Sequence, residues 1–269
     1  MSIEDVKKYW DKSPCNIRHS TKEVGSREYF DELEAKKMFV ENHISAFAEF
    51  DKWTGKKALE IGCGLGGSLI SFARAGAIVT GVDLSSVSLE LCRKRLEVYG
   101  LKGDLYCGNA EELDTFLPME QYDFIYSFGV IHHSPKPHAI IKQLYKYLKP
   151  DGELRMMVYN AYSYKAFDML HTYNKWHMPS MRKTIGYYSE AQTGSPVTFV
   201  YTAKEVESLL QPYFKIDKMW VDHVFTWDIE EYKKNNYVRA AAFEGITDEE
   251  LTELAENMGL HRLVWAKKI

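Results

Sequence analysis

The sequence is poor in cysteine and lacks a long apolar run. Its four cysteines, at positions 15, 63, 92 and 107, form no CxxC pair and are too few for a disulfide framework in a chain of 269 residues. No stretch approaches the roughly 20 continuous apolar residues of a membrane-spanning helix, and residues 1–11 are charged and lack an apolar signal core. We therefore expect reduced thiols and a cytoplasmic protein without a membrane partner.

The chain also lacks an excess of positive charge. Lys and Arg number 34 against 38 Asp and Glu, which gives a net charge of −4, so there is no broad basic field for a nucleic-acid partner. Hydrophobic residues make up 45% and charged residues 27%, as in ordinary globular domains, which excludes disordered and collagen-like classes. The unusual feature is an aromatic share of 14%, much of it in the second half of the chain.

The first fifty residues have a helical pattern. A short helix is predicted over residues 6–12, and a longer amphipathic helix over residues 26–50, in which Lys37 is the only polar interruption of the apolar face. The apolar residues that recur there at three- and four-residue steps are Phe30, Leu33, Val40, Ile44 and Phe47. Residues 1–54 are therefore interpreted as an N-terminal helical cap or lid.

After Gly55 the pattern changes to short apolar runs that alternate with amphipathic helices. The runs are residues 58–61, 78–82, 105–107, 124–127 and 154–159, and the helices are predicted over residues 68–75, 87–99 and 138–148. A tight turn at residues 150–152 is predicted to lead into the fifth run. Such alternation is typical of βαβ units, and it predicts an α/β fold with a parallel sheet.

Residues 160–201 show no clean period and carry nine aromatic side chains. Within the domain predicted over residues 55–269, this segment is interpreted as an aromatic-rich insertion after strand 5 that supplies a functional pocket. Beyond it, Thr202 with Glu205 and Thr247 with Glu250 form capping boxes that open two helices. Residues 214–225 and 263–267 fit closing strands.

A glycine-rich loop follows the first strand. Read as GxGxxG (Gly62, Gly64, Gly67) it favours a dinucleotide, whereas read as acidic-x-Gly-x-Gly-x-Gly (Glu60, Gly62, Gly64, Gly66) it favours a nucleoside with an amino-acid tail. The loop alone leaves both readings open. Asp83 ends the second strand about twenty residues later, where a carboxylate can accept hydrogen bonds from both hydroxyls of a ribose.

Five motifs in register give a more specific resemblance. They are LEIGCGLG at 59–66, GVDLS at 81–85, GNAEEL at 108–113, YDFIYS at 122–127 and LKPDGEL at 148–154. In this order they resemble the class I S-adenosylmethionine-dependent methyltransferases, in particular the small-molecule branch that includes ubiquinone-biosynthesis-like enzymes. The resemblance covers residues 57–159 and implies a doubly wound, Rossmann-like sheet of seven strands with the last antiparallel. The sequence itself shows the first five strands, and the resemblance implies the arrangement of the last two.

The resemblance also implies how S-adenosyl-L-methionine would bind as cofactor. Glu60 and the glycine loop would hold the methionine end, Asp83 the ribose, Leu84 one adenine face, and Asn109-Ala110 the adenine edge, although many members have Asp in place of Asn109. The implied cofactor-binding residues are Glu60, Gly62, Cys63, Gly64, Gly66, Asp83, Leu84, Asn109, Ala110, Glu111, Ser127 and Phe128.

Two adjacent histidines follow the fourth strand, where the family often places residues that face the acceptor. His132 and His133 are candidate bases because the pKa of histidine lies near neutrality; alternatively, each bonds to loop backbone. Candidate substrate contacts are Tyr9, Arg18, Tyr29, Tyr159, Tyr201 and His223. No metal site is predicted, since His132, His133 and His138 have no recognised ligand spacing.

The function that the resemblance implies is methyl transfer to an N, O, S or C atom of a small metabolite, with release of S-adenosylhomocysteine, by a monomer or homodimer. One alternative is an enzyme on the same fold that uses S-adenosylmethionine for other chemistry, such as cyclisation. An NAD-dependent oxidoreductase is another; Glu60 disfavours it, because its negative charge would lie near a pyrophosphate. A non-catalytic protein that only binds the cofactor is the third.

Overall fold

The computed structural model describes residues 2–177, 180–192 and 195–269. It contains seven strands: β1 Lys57–Ile61, β2 Ile78–Asp83, β3 Asp104–Cys107, β4 Tyr122–Phe128, β5 Leu148–Tyr159, β6 Phe214–Asp222 and β7 His261–Lys268. They form one sheet in the order β3-β2-β1-β4-β5-β7-β6. β7 pairs antiparallel with both β5 and β6, while the other pairings are parallel. The predicted α/β sheet of seven strands with an antiparallel last strand is confirmed.

Eleven α-helices lie within the described residues: α1 Ile3–Lys12, α2 Arg27–Val40, α3 His43–Ala48, α4 Gly67–Arg74, α5 Ser86–Tyr99, α6 Pro137–Tyr147, α7 Tyr164–Met169, α8 Met181–Gln192, α9 Ala203–Leu210, α10 Ile229–Lys233 and α11 Asp248–Met258. Both predicted capping boxes are present at the starts of α9 and α11. No helix in the described part of the chain is long and apolar enough to cross a membrane.

The central strands are buried on both faces. Along β1, Leu59 packs in one hydrophobic cluster and Ala58 in the other, because successive side chains point to opposite faces of a sheet. Helices cover both faces, so β1, β2 and β4 read as nearly continuous apolar runs. This pattern is the reason why the sequence reveals these strands.

The predicted helix over residues 26–50 is wrong as a single element. α2 ends at Val40 and α3 begins at His43, and Glu49 then adopts a left-handed φ of 47°. The side chain of Arg155 from β5 is fully buried here and donates a hydrogen bond of 2.6 Å to the carbonyl oxygen of Phe47, and it also pairs with Glu49. A contact from 106 residues away in sequence thus accompanies the end of the helix.

Two other predictions also differ from the structure: the start of β5 and the content of residues 160–201. β5 begins at Leu148, and the predicted turn at residues 150–152 lies in an irregular stretch of this strand, where the register shifts between Tyr122 and Phe124 of β4. The predicted insertion over residues 160–201 is not a long loop, since it contains α7, a π-helical turn at Leu170–Asn174 and α8. Residues 178–179 and 193–194 of this insertion lie outside the described residues.

Candidate functional site

A cavity lies at the carboxyl ends of β1, β2 and β4. The last residue of each of these strands lines it: Ile61, Asp83 and Phe128. The strand order reverses between β2-β1 and β4-β5, and ligands of open α/β sheets bind at such a switch point. The fold therefore places the glycine loop and the residues after β2 and β4 around one volume.

Two residues of the glycine loop have positive φ angles, which favour glycine. Gly62 has a φ of 72°, and a Cβ there would lie 2.2 Å from Cγ2 of Val130, so no other residue fits without rearrangement. Gly64 also has a positive φ of 52°, but no described atom lies within 4 Å of its Cβ position. The backbone at Gly64 therefore borders open space, and it lines the cavity.

Asp83 joins the end of β2 to this loop. Its Oδ2 accepts a hydrogen bond of 2.8 Å from the backbone N–H of Gly64, and its Oδ1 accepts one of 2.8 Å from that of Ser85. Burial raises the pKa of Asp83, and the two backbone N–H groups oppose that rise. Because a carboxylate has further lone pairs, Asp83 can hold the loop and still accept from a ligand.

Glu60 is the buried acidic residue of the site. It lies on β1 between Gly81 of β2 and Tyr126 of β4, is 6% exposed and lines the cavity. Its Oε2 has no hydrogen-bond partner among the described residues, and burial raises the pKa of its carboxyl group well above the usual value. The protein therefore holds a carboxyl group whose charged form lacks a full set of partners.

The other predicted cofactor residues fall into two groups. Those that line the cavity are Gly62, Cys63, Gly64, Leu84, Asn109, Ala110 and Phe128. Within the described residues, the lining does not include Gly66, Glu111 or Ser127. Glu111 instead accepts hydrogen bonds from Ser134 Oγ at 2.7 Å and the Lys136 backbone N–H at 3.1 Å. These bonds stabilise the segment that leads into α6. Ser127 is fully buried.

The two candidate bases lie in a 3-10 helix after β4, at Ile131–His133. His133 lines the cavity, and its Nδ1 lies 2.9 Å from the carbonyl oxygen of Val197. Since a carbonyl only accepts, Nδ1 is the donor, and in the neutral ring the lone pair is then on Nε2. His132 is fully buried against Tyr159, with ring centroids 4.0 Å apart, and is not part of the described lining.

Of the six candidate substrate contacts, only Tyr159 is part of the described lining. Tyr29 is fully buried, and its hydroxyl donates to the carbonyl oxygen of Ile17 at 3.0 Å. Tyr201 is 9% exposed and belongs to the main hydrophobic core. Tyr9 packs edge-on against Trp10, with centroids 4.9 Å apart, and Arg18 is likewise outside the lining. His223 stacks on His261, which does line the cavity.

The predicted aromatic pocket from residues 160–201 is also absent from the described lining. Tyr162, Phe167 and Tyr187 are 72%, 52% and 65% exposed. The insertion approaches the site through backbone contacts: Phe199 N–H donates to the carbonyl oxygen of His132 at 2.8 Å, and Val197 accepts from His133.

Helical residues close the cavity instead. Ile3, Val6 and Trp10 of α1 line it, together with Lys37 of α2 and Glu41 just beyond. Lys37 Nζ lies 2.6 Å from Glu41 Oε2; burial acts to raise the pKa of Glu41, but Lys37 holds it below its usual value. The signal for Lys37 was present in the sequence as the one polar residue on an apolar helical face.

The fold and the cavity define a doubly wound α/β protein with a candidate ligand site at its switch point. Residues 59–156 match the methyltransferase domain family. A ubiquinone biosynthesis O-methyltransferase from Actinobacillus pleuropneumoniae serotype 5b (strain L20) is 40% identical over 103 residues. This match covers 37% of the present chain and 44% of the relative. The chain therefore spans less than half the length of that relative. The predicted resemblance is confirmed over this segment.

Two solved structures share the fold over the whole chain. Magnesium protoporphyrin IX methyltransferase from Synechocystis PCC 6803, with bound SAH, has a TM-score of 0.59 at 13% identity and covers 100% of both chains. The [4+2]-cyclase SpnF has a TM-score of 0.61 at 18% identity and covers 100% of this chain and 97% of its own. At these identities the likeness is one of fold.

Proposed function

We propose that the protein transfers the methyl group of S-adenosyl-L-methionine to a small-molecule acceptor and releases S-adenosylhomocysteine. The observation that carries this proposal is Glu60, a buried carboxyl group with an unpartnered oxygen beside the glycine loop. Burying such a group is unfavourable unless a cation pairs with it. The ammonium group of the cofactor's amino-acid tail is such a cation, whereas the pyrophosphate of NAD would add negative charge.

The rest of the lining fits the same cofactor. Asp83 has two backbone donors and further lone pairs for ribose hydroxyls. Leu84 and Ala110 offer apolar contact to adenine, and Gly64 borders open space where a ligand can approach the backbone. When bound, S-adenosylmethionine supplies an electrophilic methyl carbon, and its sulfur retains the bonding electron pair as the methyl group leaves.

The protein's own residues would position the acceptor and receive a proton. His133 has its lone pair on Nε2 because Nδ1 donates to Val197, so it can accept a proton from an alcohol or phenol. Trp10 contacts His133 with ring centroids 5.3 Å apart and, with Val6, covers the cavity. Residues 1–54 would thus act as a lid that excludes water from the domain of residues 55–269. The name of the curated relative favours an oxygen acceptor.

The proposal is tested by calorimetric titration with S-adenosylhomocysteine and, separately, with NADH. We expect the first to bind and the second not to bind. Glu60→Gln should weaken binding about 10- to 100-fold, since a hydrogen bond to a charged group contributes about 1.5–3 kcal/mol. Glu90→Gln, at an exposed position of α5, is the matched control and should bind like the unmodified protein.

Mass spectrometry of reactions with oxygen-containing acceptors then tests the chemistry. Formation of S-adenosylhomocysteine together with a product heavier by one methylene unit supports methyl transfer. Binding of NADH alone would overturn the cofactor assignment. Conversion of an acceptor without loss of the methyl group from S-adenosylmethionine would overturn methyl transfer and favour chemistry such as that of the cyclase with the same fold.

A further inference from the structure

We propose that Glu41, His223 and His261 form a binding site for a divalent transition-metal ion of the Zn²⁺ class. Glu41 follows the last residue of α2, His223 follows the last residue of β6, and His261 is the first residue of β7. Each offers one ligand atom, and these three atoms lie within 4.8 Å of one another. Two imidazole nitrogens and one carboxylate oxygen are a ligand set that Zn²⁺ uses in catalytic sites.

The distance between Glu41 and His261 fits coordination of a shared ion better than a direct hydrogen bond. Glu41 Oε1 and His261 Nε2 are 3.9 Å apart, which is too far for a hydrogen bond. Two ligands at about 2.1 Å from a tetrahedral ion lie about 3.4 Å from each other, so a shift of about half an ångström would place both on one ion. Lys37 pairs with the other oxygen of Glu41, Oε2.

A fourth residue orients His261. His43 Nε2 lies 2.9 Å from His261 Nδ1, so the tautomer in which Nδ1 donates to His43 leaves the lone pair of His261 on Nε2, beside Glu41. Metal-bound histidines usually donate their second ring N–H to such an outer partner. The rings of His223 and His261 are stacked with centroids 4.5 Å apart, which keeps both imidazoles in one cluster.

The backbone at His223 is an independent sign of a functional constraint. Its φ is +67°, in the left-handed region, where residues other than glycine are uncommon and cluster at functional sites. This conformation is held by a 2.8 Å hydrogen bond from Leu260 N–H to the carbonyl oxygen of His223.

The position of the cluster suggests its use. Glu41 and His261 both line the cavity, as do Tyr159 and Phe128. A three-ligand site keeps an open coordination position, and here that position would face the cavity. The next step alone rests on the proposed function. If that function is correct, an oxygen atom of the acceptor would complete the coordination. The acceptor class would then be a hydroxylated compound whose oxygen is held by the metal ion.

The test uses the chain of 269 residues after treatment with a chelator and dialysis. It is titrated with Co²⁺, followed by visible absorption, and with Zn²⁺ in competition with a chromophoric chelator. We expect one equivalent to bind. His223→Ala and Glu41→Gln should each weaken binding at least about 10- to 100-fold, the loss that outer ligand partners alone produce. His138→Ala, at an exposed position of α6, is the matched control and should leave the affinity unchanged.

Binding of S-adenosylhomocysteine and circular dichroism are measured on the same variants. The proposed metal site is supported if the His223→Ala variant remains folded and binds S-adenosylhomocysteine but no longer binds the metal ion. Unchanged metal affinity in both His223→Ala and Glu41→Gln, or no metal binding by the unmodified protein, overturns it. Metal binding by a protein that fails to bind S-adenosylhomocysteine would uphold this site and overturn the proposed function instead.

Discussion

At the level of one residue, Glu60 should make the stability of the ligand-free protein depend on pH. Burial raises the pKa of its carboxyl group well above 4.5 in the folded protein, so the folded state holds this proton more tightly than the unfolded chain. Stability from this group is therefore present below pH 4.5 and is lost as the pH rises through the raised pKa.

We expect Glu60→Gln to increase the free energy of unfolding of the ligand-free protein, and by more at pH 8 than at pH 5. The amide removes the unfavourable ionisation of a buried group while it keeps nearly the same shape. Urea unfolding at both pH values measures the difference, with Glu90→Gln as control. A variant less stable than the unmodified protein at pH 8 would contradict this account of Glu60.

His133 gives the second prediction at this scale. His133→Ala should lower kcat by about 10²- to 10⁴-fold, the usual contribution of a general base, while the affinity for S-adenosylhomocysteine stays within about twofold, since the acceptor side alone is changed. Initial rates and calorimetry measure the two effects. His138→Ala should retain full activity. Equal rates for His133→Ala and the unmodified protein would exclude His133 as the base.

Residue positions near the sequence motifs were easier to predict than those far from them. Gly62, Gly64 and Asp83 act through local backbone geometry that their spacing encodes, and all three line the cavity. Tyr29 and Tyr201 were chosen for residue type alone, and the structure places both in buried clusters. Glu41 and His261 gave no local signal, because only the folded chain brings α2 and β7 together.

At the level of elements, Arg155 joins β5 to the α3 region. Its guanidinium is fully buried, donates to Phe47, pairs with Glu153 at 2.5 Å and lies 4.1 Å from the ring centroid of Trp265. Residues 26–50 have a continuous helical period, so the sequence predicted one helix there. The break is accompanied by this tertiary contact, which no local pattern contains.

Arg155→Met should therefore destabilise the protein by about 1–3 kcal/mol, because the change leaves the buried carbonyl oxygen of Phe47 and the partly buried Glu153 without their donor. Urea unfolding measures the loss. Arg93→Met is the matched control, since the pair of Arg93 with Glu90 is exposed and should contribute less than about 1 kcal/mol. Similar stabilities of the two variants would show that Arg155 does not secure this region.

The predicted lid is tested at the same scale. α1 contributes Ile3, Val6 and Trp10 to the cavity wall, so a bound cofactor should hold α1 and the loop after it in place. We expect S-adenosylhomocysteine to slow tryptic cleavage between residues 12 and 22. Cleavage at Lys233 and Lys234, which do not line the cavity, should be unaffected. Equal rates of cleavage near residues 12–22 with and without ligand would refute the lid.

For the molecule as a whole, the sequence revealed β1, β2, β4 and β5 because most of their residues are buried, whereas β3, at the edge of the sheet, has no fully buried residue and was found by its place in the alternating pattern. β6 and β7 were placed by their apolar runs and by resemblance. The helices α7 and α8 within residues 160–201 were missed, since Phe167 of α7 and Tyr187 of α8 are exposed and obscure the amphipathic period. Aromatic content alone therefore did not indicate where the pocket lies.

The coupling between this fold and its proposed cofactor should appear in the thermal stability of the whole protein. A ligand that binds only the folded state at 100 times its Kd adds about 2.7 kcal/mol, which corresponds to about 5–10 °C in Tm for a chain of this size. We expect S-adenosylhomocysteine to produce a rise of this order and NADH none. Asp83→Ala should abolish the rise, because the variant loses both the acceptor for ribose and the hydrogen bond to Gly64. A rise that persists in Asp83→Ala would mean that the ligand binds elsewhere than at the carboxyl ends of β1 and β2.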